Sequence, residues 1–310
     1  MIKFAFIGGT LSGLELLQAL IKNSYLPQYA VILKEDVHEI NKYYSVISEL
    51  LKTYKIPFSV KRKLTDTDYN IMKDSNLDFA IVLGWRTLIN TDYSKYLKYG
   101  FIAAHRSLLP KYRGFAPTQW VIINGEKETG VTLFQIEEGE TDSGSVFDQR
   151  KIPVLQDEYA IDLEHRMNDC TIEMFVDFFK KYDGNNLKSH KQDETKATYT
   201  CKRIPEDGII NWNKSSLEIY NFIRALANPF PGAFCYYKNS CYHIRKAILG
   251  ENNKKNFIGL IPGRVIKIKE NGIEILCGKG TLLITEWENK SDGTINNPCE
   301  NIKSITATLK

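Results

Sequence analysis

Short, continuous apolar runs interleaved with helical patterns constrain this chain more than any other feature. Residues 3–7 (KFAFI), 29–33 (YAVIL), 78–83 (DFAIVL) and 101–104 (FIAA) are strand-length and almost free of polar interruptions. A strand with one wet face alternates polar and apolar residues, so unbroken runs indicate strands buried on both faces. Between them, residues 13–21 place Leu14, Leu17 and Leu20 on one helical face, and residues 41–54 do the same with Ile47, Leu50 and Leu51. Residues 130–136 continue the sheet, and residues 159–182 read as a long amphipathic helix. The pattern predicts an α/β fold: a Rossmann-like N-terminal domain with a mostly parallel sheet covered on both sides.

The texture changes after the polar stretch 183–195 (DGNNLKSHKQDET), read as a surface connection. A helix over 215–227 ends at the Pro229–Gly232 turn. Short strands follow at 233–237, 242–248, 263–269, 272–277 and 280–287, close spacing that suggests a smaller OB-like β-barrel. The expected division is 1–195 for the catalytic domain and 196–310 for the helix and barrel.

Composition narrows the class. The chain of 310 residues carries 41 Lys+Arg against 37 Asp+Glu, a net charge of +4 that does not by itself demand a polyanionic partner. None of its six cysteines forms a C-x-x-C pair, which argues against a structural zinc, and their scatter suggests reduced, mostly buried thiols in a cytoplasmic protein. No signal-peptide layout or membrane-length apolar run is present, so no membrane partner is expected. A homodimer is among the assemblies the sequence allows.

The turn Gly8-Gly9-Thr10-Leu11-Ser12-Gly13 invites a dinucleotide reading, but Thr10 stands where the middle glycine belongs. It reads better as a turn opening a helix, with backbone N–H groups available to a substrate phosphate.

The chemistry gathers between residues 103 and 142. His105 and Asp142 each follow an apolar run, so one imidazole and one carboxylate reach the same sheet edge. Residues 105–114 read HRSLLPKYRG, which strongly resembles the signature of the tetrahydrofolate-dependent formyltransferases. The similarity continues through Ala116-Pro117, Trp120, Asn124-Gly125-Glu126, Thr129-Gly130-Val131-Thr132 and Asp142-Ser143-Gly144, and resumes at residues 203–208, 223–225, 229–234 and 261–265. It covers nearly the whole chain.

The resemblance implies formyl transfer from N10-formyltetrahydrofolate to a primary amine, by a catalytic set of Asn, His and Asp. His105 and Asp142 match, while Ala103 stands at the asparagine position. An Asn amide would donate to the developing oxyanion, and removing one such donor lowers kcat by roughly 10²–10³-fold. Two readings of Ala103 stay open: the site works with the imidazolium and a backbone N–H, or the chain is a weakened or engineered variant. The attacking amine must shed a proton, so a general base is needed. His105 fits by type with Asp142 orienting it, and the reverse assignment is also chemically reasonable. His38, His165, His190 and His243 have no such context.

The resemblance further implies that the donor's pterin is held by Leu83, Gly84, Trp85, Arg86, Ser107, Leu108, Leu109, Pro110 and Ile136, largely through backbone groups. Core packing is the plainer role for Trp85, and Trp120 is expected to pack its helix. The tRNA enzymes of the family carry a basic, glycine-rich insertion after the second strand, where this chain has the short, acidic KEDVHEIN of residues 34–41. Lys61-Arg62-Lys63 and Lys180-Lys181 are small runs better suited to solvation than to phosphate binding. The chain therefore looks more like the sugar N-formyltransferases, acting on a UDP- or dTDP-linked amino sugar for surface polysaccharide or lipopolysaccharide, with nucleic acid disfavoured. The substrate contacts implied are Gly9, Thr10, Ser12, Tyr112 and Arg113, with Arg203, Arg224 and Phe230 from the second domain. The alternatives are a methionyl-tRNA formyltransferase and a folate- or sugar-nucleotide-binding variant impaired by Ala103.

Overall fold

The computed structural model describes residues 2–36, 39, 41–251 and 255–310. Seven strands form the first sheet: β1 (Phe4–Gly8), β2 (Tyr29–Leu33), β3 (Phe58–Lys61), β4 (Phe79–Leu83), β5 (Phe101–His105), β7 (Glu128–Ile136) and β8 (Val146–Pro153). The two-residue strands β6 (Arg113–Gly114) and β9 (Tyr199–Thr200) lie outside it. The order is β3-β2-β1-β4-β5-β7-β8, parallel from β3 to β5. At β7 the direction reverses, and β7 runs antiparallel to β5. The expected continuation beyond β5 is thus present with the opposite sense.

Every residue of β1, β2 and β4 is buried, as unbroken apolar runs require. Successive side chains along a strand face opposite ways. Phe4 and Phe79 pack edge-on against Phe179 of α5 (Ala160–Lys181), at 4.7 and 5.4 Å between ring centroids. Ala5, Ile7, Ala80 and Val82 join a second cluster with Tyr69 and Met72 of α3 (Asp66–Asp74). The sheet is therefore covered on both faces.

Helix α1 (Thr10–Lys22) begins three residues before its apolar period does, directly at the turn after β1. Helix α2 (Tyr44–Thr53) begins later than its pattern suggests, because Glu35 accepts the Tyr43 and Tyr44 N–H groups and defines its start. Strand β3, helix α3 and strand β8 escape the periodicity reading. Strands β3 and β8 are end strands with charged residues, and α3 is nine residues of mostly polar sequence.

The chain divides into two units: Met1–Gly114, Thr129–Ile152 and Arg166–Tyr199 form one, and Phe115–Glu128, Pro153–His165 and Thr200–Lys310 form the other. In the second, α4 (Pro117–Ile123) packs on α6 (Ser216–Leu226). Helix α6 starts at a capping box in which Ser215 Oγ accepts the Glu218 N–H and the Glu218 carboxylate accepts the Ser215 N–H. An antiparallel sheet follows in the order β10 (Phe234–Tyr237), β11 (Ser240–Leu249), β14 (Thr281–Asn289), β13 (Gly272–Leu276), β12 (Val265–Lys269), with β15 (Ile295–Asn296) on β14. Residues 307–310 bond both ends of this order: Lys310 exchanges N–H···O bonds with Tyr236 of β10, and the Ala307 carbonyl accepts from Val265 of β12. That closes the sheet into a ring, centred on a buried Trp287 stacked 3.9 Å from Tyr242.

The thiols differ from expectation. Only Cys235 and Cys277 are buried, and burial pushes both thiols up, Cys277 to about 12. Cys201 is exposed and the other three are half-buried.

Asp68 anchors the β2–β3–α3 corner. Its carboxylate is 1% exposed and accepts from Tyr29 Oη (2.8 Å), Ser59 Oγ (2.7 Å), Thr65 N (2.9 Å) and Thr65 Oγ1 (2.6 Å). Burial raises its pKa, but the hydrogen bonds outweigh it and hold the carboxyl below the usual range. A carboxyl depressed in the folded state stabilises the fold above its unfolded pKa of about 3.9, and loses that contribution as pH falls through the folded value. Asp68→Ala should lower stability by about 2–4 kcal/mol at pH 7. In denaturant titrations below about pH 4 the gap to the parent chain should narrow.

Candidate active site

Because β1, β4 and β5 are parallel and in register, Gly8, Leu83 and His105 end at one sheet edge. A cavity of about 480 Å³ opens there. Its apolar wall is Val82, Leu83, Trp85, Ile89, Phe134 and Ile136; its polar wall is the loop 137–144, with Glu137, Glu138, Glu140 and Asp142; and Ala103 and His105 lie in the lining. Ala103 and His105 are two residues apart on β5 and so share a strand face.

Gly84 is the point of closest approach. It has φ +70, and a Cβ there would sit 2.1 Å from the Gly9 carbonyl oxygen and 2.6 Å from Thr10 Oγ1. The turns after β1 and β4 touch only because this residue has no side chain. Gly9 N–H donates to the Leu83 carbonyl at 3.2 Å, and Thr10 has φ +60.

His105 is held at both nitrogens. Its Nε2 lies 2.7 Å from the Tyr112 carbonyl, and its Nδ1 lies 3.5 Å from Asp142 Oδ2. A carbonyl only accepts, so Nε2 carries a proton and Nδ1 is left as the nitrogen facing Asp142. Asp142 has φ +55, and its Oδ2 also accepts the Gly114 N–H at 2.8 Å. The turn after His105 is knitted to β7 through Thr132, its cross-strand partner. Thr132 Oγ1 donates to the Ser107 carbonyl (2.7 Å) and accepts from Leu109 N (3.1 Å) and Gln149 Nε2 (2.9 Å).

The cavity wall thus includes Leu83, Gly84, Trp85 and Ile136, but not Arg86 or residues 107–110. Ser107 and Leu109 are buried, Ser107 Oγ donates to the Lys111 carbonyl, and the Leu109–Pro110 bond is cis. The Arg86 guanidinium is bidentate on Glu39 and pulls that carboxyl down to about 2. Val37, His38 and Ile40 of the acidic stretch lie outside the described residues. Trp85 Nε1 is buried without a hydrogen-bond partner among the described residues.

Of the expected substrate contacts in the first unit, Ser12 Oγ accepts from Arg106 Nη2 at 2.9 Å, and the Tyr112 N–H donates to Thr198 Oγ1 at 2.8 Å. Arg113 is 0% exposed and bidentate on Glu194 (2.8 and 2.6 Å). An anion could reach its guanidinium only by displacing that carboxylate. In the second unit, Arg224 is buried on Asn221 Oδ1 (3.0 Å) and the Glu158 carbonyl (2.6 Å). Arg203 lies over the Trp120 and Phe222 rings, and burial lowers its pKa. Phe230 is half-buried, its N–H on the Ala227 carbonyl. Trp120 donates from Nε1 to the Cys201 carbonyl at 3.0 Å. Thr132 lies in the Thr129–Thr132 stretch of the motif, while Gln149 and Gln192 carry no local sequence signal, and only the pairing of distant segments reveals them.

Among the described residues, no group of three or more His, Cys, Asp or Glu could hold a metal ion, and no helix is long and apolar enough to cross a membrane.

The formyl transferase family pattern matches residues 15–178, and the pattern of the formyl transferase C-terminal domain matches residues 202–298. The methionyl-tRNA formyltransferase of Clostridium novyi (strain NT) is 34% identical over 216 residues, 69% of this chain and 68% of that protein. The chain belongs to the formyl transferase family, enzymes that draw their formyl group from N10-formyltetrahydrofolate. Two solved structures share the fold. WlaRD, a sugar 3N-formyl transferase crystallised with dTDP and 5-N-formyl-THF, has a TM-score of 0.67 at 24% identity, covering 92% of this chain and 97% of that one. The N-formyltransferase from Helicobacter canadensis, in complex with folinic acid and dTDP-3-aminofucose, has a TM-score of 0.65 at 22% identity, covering 92% and 99%.

Gly84→Ala tests the cavity geometry. The added methyl and the positive φ should together cost roughly 1–3 kcal/mol. The substitution should also weaken donor binding, as measured by isothermal titration with 5-formyltetrahydrofolate.

Proposed function

We propose that the chain transfers the formyl group of N10-formyltetrahydrofolate to the amine of a nucleotide-linked amino sugar, in the cytoplasm, on a route to surface polysaccharide such as lipopolysaccharide. The observation that carries the choice of acceptor is the segment after β2. Glu35, Asp36 and Glu39 stand there, and Glu39 occupies Arg86 beside the cavity. A tRNA backbone needs lysines and arginines at such an edge, whereas a nucleotide sugar carries only two phosphates. The likeness in fold to sugar N-formyltransferases over almost their whole length supports the same reading.

The cavity suits the donor. A pteridine is flat and polar-edged, and the apolar wall, with a Trp85 Nε1 that has no partner among the described residues, suits such a ring. When bound, the donor supplies an electrophilic formyl carbon. His105 Nδ1 takes the proton that the attacking amine sheds and gives it to N10 of tetrahydrofolate as the formyl–N10 bond breaks, and Asp142 Oδ2 steadies the imidazolium in between. The Tyr112 carbonyl keeps the ring from turning its other nitrogen to the amine. Ala103 faces the same cavity with a methyl group and offers no donor to developing negative charge.

A methionyl-tRNA formyltransferase is the second reading, favoured by the Clostridium novyi relative. Incubation with N10-formyltetrahydrofolate and a panel of UDP- and dTDP-linked amino sugars, or with charged initiator tRNA, separates the two by folate release. Turnover with an amino sugar is expected. Formylation of tRNA alone would reverse the assignment, and tight folate binding with no turnover would favour a binding protein. Ala103→Asn should raise kcat by about tenfold or more if the missing amide limits the rate. An unchanged rate would show that the site does not need it.

A further inference from the structure

We infer that Gln192 is a positioning residue that holds the Asp142 turn in its working conformation, and that Arg113 aims it. The inference rests on the reading of Asp142 as part of the formyl-transfer site.

Asp142 adopts φ +55, a left-handed conformation that a non-glycine residue keeps when its surroundings hold it there. The Gln192 amide supplies that hold. Its Nε2 donates to the Asp142 carbonyl at 2.7 Å and to the Gly144 carbonyl at 2.8 Å, gripping two points of the turn. Its Oε1 accepts from Arg113 Nε at 3.1 Å and Nη2 at 2.7 Å. A guanidinium has donors only, and the turn presents acceptors only, so the amide can face just one way. Glutamine meets both needs: glutamate would turn oxygen toward two carbonyls, and asparagine is one methylene short.

Arg113 is fixed in its turn. It is fully buried, bidentate on Glu194, and 3.1 Å from Tyr199 Oη. The neighbouring Gly114 N–H holds the Asp142 carboxylate itself. Adjacent residues therefore control both halves of Asp142: Gly114 its side chain, and Arg113, through Gln192, its backbone. The Oδ2 so placed is the atom that faces His105 Nδ1 at 3.5 Å.

Gln192→Glu tests this in the full-length chain, because it keeps the acceptor for Arg113 and puts a carboxylate oxygen in place of the donating NH₂. In its crystal structure, Asp142 should leave the left-handed region and the Gly114–Asp142 bond should be lost. An unchanged turn would overturn the proposal. With N10-formyltetrahydrofolate and the amine identified by the acceptor panel, kcat should fall about tenfold or more while the KM for the amine stays within about twofold. In an Asp142→Asn background, the same substitution should lower kcat by less than about twofold, because its effect passes through Asp142. A full multiplicative loss there would show a general structural role and refute the inference. If Asp142→Asn lowers kcat and Gln192→Glu does not, this proposal alone fails. Parental kcat in Asp142→Asn would instead refute the formyl-transfer reading of the turn, and this proposal with it. If Gln192→Glu does not fold, Gln192→Met, uncharged and of similar length, is judged on the same crystallographic outcomes.

Discussion

The antiparallel pairing of β5 with β7 governs where Ala103, His105 and Asp142 stand in this molecule. It sets Ala103 opposite Phe134 and His105 opposite Thr132. Side-chain direction alternates along a strand, so a slip of one residue would turn His105 to the opposite face and put Arg106 in its place. The Thr132 hydroxyl guards that register, because its three hydrogen bonds tie the turn after His105 to β7 and, through Gln149, to β8. The loop that carries Asp142 follows directly from the end of β7, so the same pairing delivers the carboxylate.

Much of this was legible in the sequence wherever burial speaks through composition. The fully buried strands β1, β2 and β4 are unbroken apolar runs, and α5 and α6 show an apolar stripe of helical period. His105 and Asp142 were legible through a motif. Legibility fails where structure depends on the far side of a contact. Strand β3 is half-buried at the sheet's end and spells FSVK, a pattern shared with many loops. The reversal at β7 is a topological choice that its apolar residues do not encode. Gln192 sits in a polar run that reads as a surface connection, and its meaning lies 50 residues upstream in Asp142.

Buried charge in the first unit is used mainly to build. Arg113 and Asp68 are almost completely removed from water, and each is surrounded by the partners its charge demands. A motif arginine in the segment that follows His105 suggests ligand contact, and the structure shows it occupied by Glu194 and Gln192. An ion pair made by a buried guanidinium contributes little net stability over a well-packed apolar contact, but it tolerates few alternative arrangements. That trade suits a site whose geometry matters more than its strength.

The ring closed by residues 307–310 also bears on how the chain behaves in concentrated solution. An open antiparallel sheet leaves unpaired N–H and C=O groups along its two outer strands, where another chain can add as a further strand. Here Lys310 occupies Tyr236 on one side and Ala307 occupies Val265 on the other. The first sheet keeps its ends but charges them, with Lys61 on β3 and Asp148, Arg150 and Lys151 on β8. The two units thus use opposite defences against edge-to-edge aggregation, closure in one and charge in the other.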